Sequence, residues 1–583
     1  MTEPIHPPTQ RSSPVSVLGP HQREAAWERL GTEQFDVVVI GGGVVGSGCA
    51  LDAATRGLKV ALVEARDFAS GTSSRSSKMF HGGLRYLEQL EFGLVREALY
   101  ERELSLTTLA PHLVKPMPFL FPLTNRVWER PYIAAGIFLY DRLGGAKSVP
   151  AQKHLTRASA LRLSPGLKRS SLIGGIRYYD TVVDDARHTM TVARTAAHYG
   201  VVVRTSTQVV AMLREGDRVT GVRVRDSEDG ATTEVRGHVV VNATGVWTDE
   251  IQALSKQRGR FQVRASKGVH VVVPRDRIVS DVAIILRTEK SVMFVIPWGS
   301  HWIIGTTDTD WNLDLAHPAA TKADIDYILQ TVNTVLAIPL THADIDGVYA
   351  GLRPLLAGES EETSKLSREH AVAVPAPGLV AIAGGKYTTY RVMAADAIDA
   401  AAQFIPARVA PSITEKVSLL GADGYFALIN QAEHVAELQG LHPYRVRHLL
   451  DRYGSLIGDV LALAQSPGLL EPIKEAPGYL RVEALYAVTA EGALHLEDIL
   501  ARRMRVSIEY SHRGVDCARE VANVVAPVLG WSAEDIEREV ANYTARVEAE
   551  VLSQAQPDDV SADELRASAP EARAEILEPV PLS

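Results

Sequence analysis

Four consecutive apolar residues, Val37, Val38, Val39 and Ile40, stop abruptly at Gly41-Gly42-Gly43. No other feature limits what this chain can fold into as sharply. An unbroken β-branched run reads as a strand buried on both faces, as in a parallel sheet covered by helices. Val44 to Arg56 is small or apolar, with two glycines as its only weak points, and predicts a helix; after a turn at Gly57, Lys59 to Glu64 resumes β character. Strand, helix and strand make a βαβ unit. Its first turn, Gly41-Gly42-Gly43-Val44-Val45-Gly46, fits the G-x-G-x-x-G fingerprint of dinucleotide binding in the context that the mechanism requires. Gly41 permits the tight turn, Gly43 lets the backbone approach a pyrophosphate, and Gly46 lets the helix pack closely while its N-terminal amides meet the anion. Glu64 stands where a carboxylate accepts hydrogen bonds from an adenosine ribose and disfavours a 2′-phosphate. The fingerprint serves NAD and FAD equally.

Two later segments point to FAD. In Asn242-Ala243-Thr244-Gly245, after the strand-like Val239 to Val241, small residues let the backbone pass close to a dinucleotide. In Gly384-Gly385-Lys386-Tyr387-Thr388-Thr389, after Leu379 to Ala383, a glycine pair opening a helix caps the isoalloxazine end. A single NAD fold has no obvious need for either.

The 583 residues divide into several domains, and a formal charge of −9 argues against nucleic-acid binding, so any anion site must be built locally. Cys49 and Cys517 alone exclude a disulfide framework and a multi-cysteine metal site; no metal is expected, and redox chemistry must come from a bound cofactor. The longest apolar pieces, such as Ile133 to Tyr140, fall well short of the roughly 18 residues of a spanning helix. Residues 1–33 read as a flexible N-terminal extension, in which Ala26, Trp27 and Leu30 form at most a small apolar face. Val201 to Arg236 reads as an antiparallel meander inserted in the dinucleotide domain, and Val263 to Thr307 as short strands of a second, β-rich domain. Beyond about Pro411 the texture is helical, with Ile536, Val540, Tyr543, Val547 and Val551 at helical spacing behind a cap at Ser532 and Asp535.

Just after the ribose-binding strand, Ser73-Ser74-Arg75-Ser76-Ser77-Lys78-Met79-Phe80-His81-Gly82-Gly83-Leu84-Arg85-Tyr86 crowds hydroxyls, glycines, a histidine and an arginine into one stretch. Here, and at Gly351-Leu352-Arg353-Pro354-Leu355, Ile296-Pro297-Trp298 and Gly305-Thr306-Thr307-Asp308, the chain resembles the FAD-dependent glycerol-3-phosphate dehydrogenases. The likeness runs in order from Phe35 to about Arg391 and continues more weakly at Glu497 to Arg503. Arg75, Val246 and a longer N-terminal extension depart from the family pattern.

The resemblance implies an α/β FAD-binding Rossmann-like domain of glutathione-reductase or glycine-oxidase type, a β-rich substrate domain and a C-terminal all-α domain. The expected division is FAD-binding segments at 34–110, 176–262 and 356–410, a substrate or cap segment at 111–175, a β-rich substrate domain at 263–355, a helical domain at 411–555 and a frayed tail at 556–583. It further implies oxidation of sn-glycerol 3-phosphate to dihydroxyacetone phosphate on the cytoplasmic face, with electrons passing to a membrane quinone and the protein held peripherally; a homodimer is compatible with this. A glycerol-3-phosphate oxidase using molecular oxygen, or a related hydroxy-acid or amino-acid oxidoreductase, is the alternative. Expected at the cofactor are Gly41, Gly43, Gly46, Glu64, Thr72, Ser73, Ser77, Lys78, His81, Gly82, Gly83, Ala243, Thr244, Gly245, Gly385, Lys386 and Thr388. At the substrate are Arg85, Tyr86, Arg353, Arg368 and Lys386. A phosphate dianion needs several charge-assisted partners, which guanidinium forks supply. For the hydroxyl proton, His81 is the natural acceptor on pKa grounds, with Lys386 the alternative if desolvated; Arg353 suits orienting or polarising the oxygen.

Overall fold

The computed structural model describes residues 16–83, 86, 91–124, 129–144, 148–170, 172–255, 262–288, 292–357, 370–573 and 576. The described residues form two large sheets and a C-terminal helical domain that carries a small two-stranded hairpin.

The first sheet holds five parallel strands in the spatial order Leu379–Gly384, Thr232–Asn242, Gln34–Ile40, Val60–Val63 and Val202–Arg204. Val39 pairs with both Val241 and Leu62, so the run that ends at Gly41 is central in the sheet and buried throughout. His370–Ala376 adds an antiparallel edge, and Thr207–Glu215 and Arg218–Asp226 form the meander leading back into Thr232–Asn242. On one face lie the helices Val44–Thr55, Asp185–His198 and Tyr390–Ala402; a Cβ on Gly48 would come 3.0 Å from the Tyr390 ring, so glycine sets that helix spacing.

The other face is closed by a helix where a mobile arm is expected. Pro20–Thr32 is helical, with proline in its first turn and Ala26 and Leu30 buried against Phe35, Val38 and Val240. Trp27 packs beneath the guanidinium of Arg204, 4.4 Å from its ring centroid. The apolar triplet is therefore internal, and the expectation of a flexible segment through residue 33 is corrected over Ser16 to Glu33.

The second sheet has ten strands, in the order Thr309–Trp311, Val263–Pro274, His301–Gly305, Val292–Trp298, Ala283–Arg287, Lys115–Leu123, Gly174–Val182 and Met79–Phe80, with Gly347–Leu356 beside Val263–Pro274 and Lys153–Thr156 beside Gly174–Val182. The strand at 79–80 and most of the strand at 174–182, from 176 on, fall in segments that the sequence division assigns to the FAD domain, yet they belong to this second sheet. The helix Lys322–Asn333 covers one face through Ile325, Ile328 and Val332.

Beyond Thr414 the chain is helical except for the hairpin Pro472–Ile473 and Ala476–Leu480. The helix Ala533–Ser553 begins at a capping box of Ser532 and Asp535; of its expected stripe Tyr543 is buried, whereas Val551 is exposed. The tail does not fray through Arg573: Asp559–Ala567 is a helix, Ala562 is fully buried, and Arg573 Nη2 reaches Asp498 at 3.0 Å. Buried ion pairs bind this domain to the first sheet, Arg503 to Asp67 at 2.7 Å and Arg505 to Asp184 at 2.8 Å, with Arg187 and Glu491 also paired. Among the described residues no helix is long and apolar enough to cross a membrane.

Candidate active site

Where the parallel strands end, the chain leaves a cleft with about 1380 Å³ of space, its open mouth included. Ligands of open α/β sheets bind at this carboxyl edge. Gly41, at φ +109°, passes so close to the next strand that a Cβ would stand 2.8 Å from the Ala243 carbonyl oxygen. Gly46 packs under the turn, where a Cβ would meet the Gly41 carbonyl oxygen at 1.9 Å. Gly43 caps the helix Val44–Thr55, and the Val44 amide donates to Ser73 Oγ at 3.0 Å. Thr72, beside it in the cleft wall, donates through Oγ1 to the Leu352 carbonyl at 2.5 Å.

Glu64 lines the cleft and braces its turn, its carboxylate accepting from the Gly42 amide at 2.6 Å and the Arg66 amide at 2.8 Å. Burial raises its pKa against the pull of those two amides. Ala243, Thr244 and Gly245 form the opposite wall, fixed by the buried Asn242, whose Oδ1 accepts from Thr244 Oγ1 at 2.7 Å. The far end is Gly384, Gly385 and Lys386; Gly385 has φ +77°, and a Cβ there would meet Met393 Sδ at 2.5 Å. A glycine-floored slot with backbone amides at one end and a partly buried acid along its wall fits a flavin dinucleotide. Arg66, Gln208 and Trp247 also line it, although no motif marks them in the sequence.

Past Lys386 lie His81, Gly82, Gly83 and Tyr86. The His81 amide donates to Thr388 Oγ1 at 3.2 Å, and Thr388 returns a bond to the His81 carbonyl at 3.3 Å. The Gly82 amide donates to Tyr140 Oη at 2.7 Å, and that hydroxyl donates to Asp180 at 2.8 Å, which also accepts from Arg102 at 2.9 Å. Burial pushes the Asp180 carboxyl up to about 6 despite Arg102. Tyr86, 7% exposed, lies under Lys386, whose Nζ is 3.8 Å from the ring centroid. The His81 ring is half-buried and meets the Phe294 ring edge to face at 6.1 Å.

Arg353 projects from the strand Gly347–Leu356 opposite Ser266. Its Nη2 donates to Thr306 Oγ1 at 3.0 Å and to the Thr307 carbonyl at 3.2 Å, and Asp308 is 3.5 Å from Nη1. Room for it comes from Gly268, where a Cβ would stand 2.5 Å from Nη2. Beside it the His270 ring stacks on Tyr349 at 4.8 Å and pairs with Ser77 Oγ at 2.9 Å; burial, helped by Arg353, drives His270 well below its ordinary pKa, so the ring is neutral. Arg85 and Arg368 lie outside the described residues.

Two expected cofactor contacts turn elsewhere. Ser77 faces His270. Lys78 has φ +56° and is fully buried, with its Nζ 2.9 Å from Asp185 and 3.0 Å from the Ser74 carbonyl; burial lowers its pKa to about 8. Neither lines the cleft, nor do Gly46, His81, Gly82, Gly83 or Thr388. The left-handed turn at Lys78 reverses its side chain toward the C-terminal domain, where Arg505 shares Asp185. Its role is to anchor the stretch, and nothing in the sequence separates that from a cofactor contact.

The comparisons agree with this geometry. Residues 36–391 match the family model described as FAD dependent oxidoreductase, and residues 412–536 match the C-terminal domain of alpha-glycerophosphate oxidase. A glycerol-3-phosphate dehydrogenase of Mycobacterium leprae is 89% identical, with 100% of each chain covered. The mitochondrial glycerol-3-phosphate dehydrogenase of Homo sapiens is 34% identical over 92% of this chain and 76% of its own. The X-ray structure of the glycerol-3-phosphate dehydrogenase from Bacillus halodurans complexed with FAD superimposes with a TM-score of 0.75 at 28% identity, covering 91% of this chain and 98% of that one. By sequence and fold, the chain belongs to the FAD-dependent glycerol-3-phosphate dehydrogenases.

Proposed function

We propose that this chain oxidises sn-glycerol 3-phosphate to dihydroxyacetone phosphate with bound FAD and passes the electrons to a membrane quinone. The observation that carries the reading is the position of Lys386, which lines the dinucleotide cleft and at the same time caps the buried Tyr86 ring of the adjoining segment. One ammonium group thus serves both the cofactor end and the compartment next to it. FAD, when bound, supplies the two-electron acceptor for the hydrogen on C2 of the alcohol.

The protein's own residues do the rest. Lys386, with Arg85 and Arg368 in this reading, holds the phosphate. Arg353, braced by Thr306 and the Thr307 carbonyl, orients the C2 oxygen. His81 takes the hydroxyl proton; its backbone is pinned by Thr388, so the ring is presented from a fixed segment. Gly82 and Gly83 pack against Tyr140 and Tyr86, which fixes the segment beside that compartment.

Delivery to a quinone requires contact with a membrane surface. Phe92 and Tyr100 on the helix Phe92–Leu104, and Tyr132 and Phe138 on the neighbouring helix Glu129–Gly144, are 40%, 52%, 47% and 53% exposed and support peripheral attachment on this side. The test is anaerobic titration of the purified flavoprotein with glycerol 3-phosphate, followed by reoxidation with a quinone analogue or with air. Bleaching of the flavin absorbance and faster reoxidation by the quinone are expected. A flavin left oxidised would overturn the substrate, and faster reoxidation in air would overturn the acceptor.

A further inference from the structure

A second cavity lies between the β-rich sheet and the C-terminal helices, with about 820 Å³ of space, mouth included. Its wall is shared with the dinucleotide cleft through one short turn: Thr72 and Ser73 face the cleft, whereas Ser74 and Arg75 face this second space. Five arginines line it, namely Arg75, Arg502, Arg505, Arg546 and Arg566, against two acids, Glu497 and Glu550.

Most of that charge is already matched. Arg502 is held by Asp67 at 2.6 Å and Glu497 at 3.0 Å, Arg505 by Asp184 at 2.8 Å, and Arg546 by Glu571 at 2.8 Å. Glu550 is divided between Arg513 at 3.1 Å and Arg566 at 3.3 Å. Arg75 is the exception. Its Nη1 donates to the Ala316 carbonyl at 3.0 Å, and among the described residues it has no carboxylate within 4.0 Å. Its side chain is partly buried, and burial together with Arg566 lowers its pKa to about 10 against the opposing pull of Glu497 and Glu550. Two further buried donors beside the cavity, Gln554 Nε2 and Arg566 Nε, have no acceptor. A partly buried guanidinium with no carboxylate at contact distance, in a lining where five arginines face two acids and two donors lack acceptors, is completed by an anion.

We infer that this interdomain cavity is an oxyanion site, separate from the substrate compartment, in which Arg75 binds a phosphate group, either free phosphate or a phosphate monoester. The guanidinium fork matches a tetrahedral oxyanion, and Ser74, Ser507 and Tyr543 in the lining add hydroxyls. Gly351, on the strand that carries Arg353, lies directly against Arg75, since a Cβ there would meet the Arg75 carbonyl oxygen at 2.5 Å. Occupancy is therefore adjacent to the active site without being part of it.

The experiment is calorimetric titration of the FAD-loaded enzyme with inorganic phosphate and, separately, with phenyl phosphate, a monoester that has no alcohol to oxidise. It is run on the unaltered chain, Arg75→Met, Arg75→Lys and Lys386→Met. The Arg75→Met change should weaken one binding event at least about tenfold, the scale of one lost charge-assisted hydrogen bond. Arg75→Lys, which keeps the charge and loses the fork, should weaken it several-fold, and Lys386→Met, which removes a phosphate partner of the substrate compartment, should leave it intact. Flavin content and thermal melting establish which variants are folded, and Arg75→Lys decides if Arg75→Met is not. Binding of one probe alone identifies the source as free phosphate or ester. The inference is overturned if neither probe binds, or if every phosphate bound depends on Lys386 while a folded Arg75 variant titrates like the unaltered chain. Because the readout is binding rather than turnover, it stands or falls apart from the substrate assigned above.

Discussion

Lys386 and Tyr86 meet face to cation, with the ammonium 3.8 Å from the ring centroid and the ring 7% exposed. A desolvated cation–π pair of this kind is worth about 2 kcal/mol, and here it fixes the ammonium at the end of the cleft. Tyr86→Leu is expected to raise KM for glycerol 3-phosphate about tenfold while FAD stays bound, the equivalent of about 1.4 kcal/mol. Tyr86→Phe, which retains the ring, should remain near the unaltered value. Steady-state kinetics on both variants checks this, and equal losses would place the effect in the hydroxyl instead.

Gly83 sits against the same ring. It has φ +77°, and a Cβ would stand 2.2 Å from Tyr86 Cδ2 and 3.6 Å from Lys386 Nζ. Gly83→Ala meets both a left-handed backbone and a clash, so turnover should fall at least about 100-fold, as small misplacements of catalytic groups do. Flavin content should hardly change, because the glycines of the dinucleotide turn are remote in the chain. Turnover within twofold of the unaltered enzyme would show that the segment relaxes freely.

The C-terminal domain should report pH through His495, which sits between Glu539 at 2.9 Å and Glu228 at 3.1 Å. Burial opposes its charge, but the hydrogen bonds that its ring donates to the two carboxylates win and raise its pKa from 6.5 to about 10. The folded pKa lies above the unfolded one, so the stabilisation is complete below pH 6.5 and is lost as the pH rises through about 10. Glu228 runs the other way: its pKa is lowered to about 2, so its share is present above 4.5 and lost on acidification toward 2. Melting temperature should fall between pH 7 and 10 in the unaltered chain, and this slope should flatten in His495→Gln, whose cost at pH 7 is about 3–5 kcal/mol, as for a broken buried pair. An identical alkaline slope in both proteins would assign it elsewhere.

How much of this is legible in the sequence depends on whether the signal is local. Gly41, Gly43, Gly46 and Glu64 can be read because strand, turn and helix are contiguous and each glycine answers a steric demand within a few residues or across one strand. Gln208 and Trp247 enter the same cleft from a meander and a short helical turn, and no spacing announces it. Lys78 is instructive: Thr72 and Ser73 earlier in its segment line the cleft, but a left-handed residue at Lys78 accompanies an ammonium turned to Asp185, some hundred positions along the chain. The Pro20–Thr32 segment reads as flexible by itself, and only the sheet face that receives Ala26 and Leu30 gives that short apolar pattern a reason to be ordered.

Arg353 gives the sharpest test of the substrate compartment, because the space it occupies depends on a residue across the strand pair. Gly268 pairs with Gly351 in the ladder, and a methyl group there would lie 2.5 Å from Arg353 Nη2 and 2.6 Å from Thr306 Oγ1. Gly268→Ala should therefore displace the guanidinium from Thr306 without touching its charge. The expected order of kcat/KM is unaltered enzyme, then Gly268→Ala, then Arg353→Lys and Arg353→Ala, with the last down about 100-fold or more, since orientation is the term being removed. All four proteins should purify with the same flavin content, because Arg353 does not line the dinucleotide cleft. If Gly268→Ala matched the unaltered enzyme while Arg353→Ala did not, the charge of Arg353 would matter and its position against Thr306 would not, and the orienting role proposed for it would have to be replaced by a purely electrostatic one.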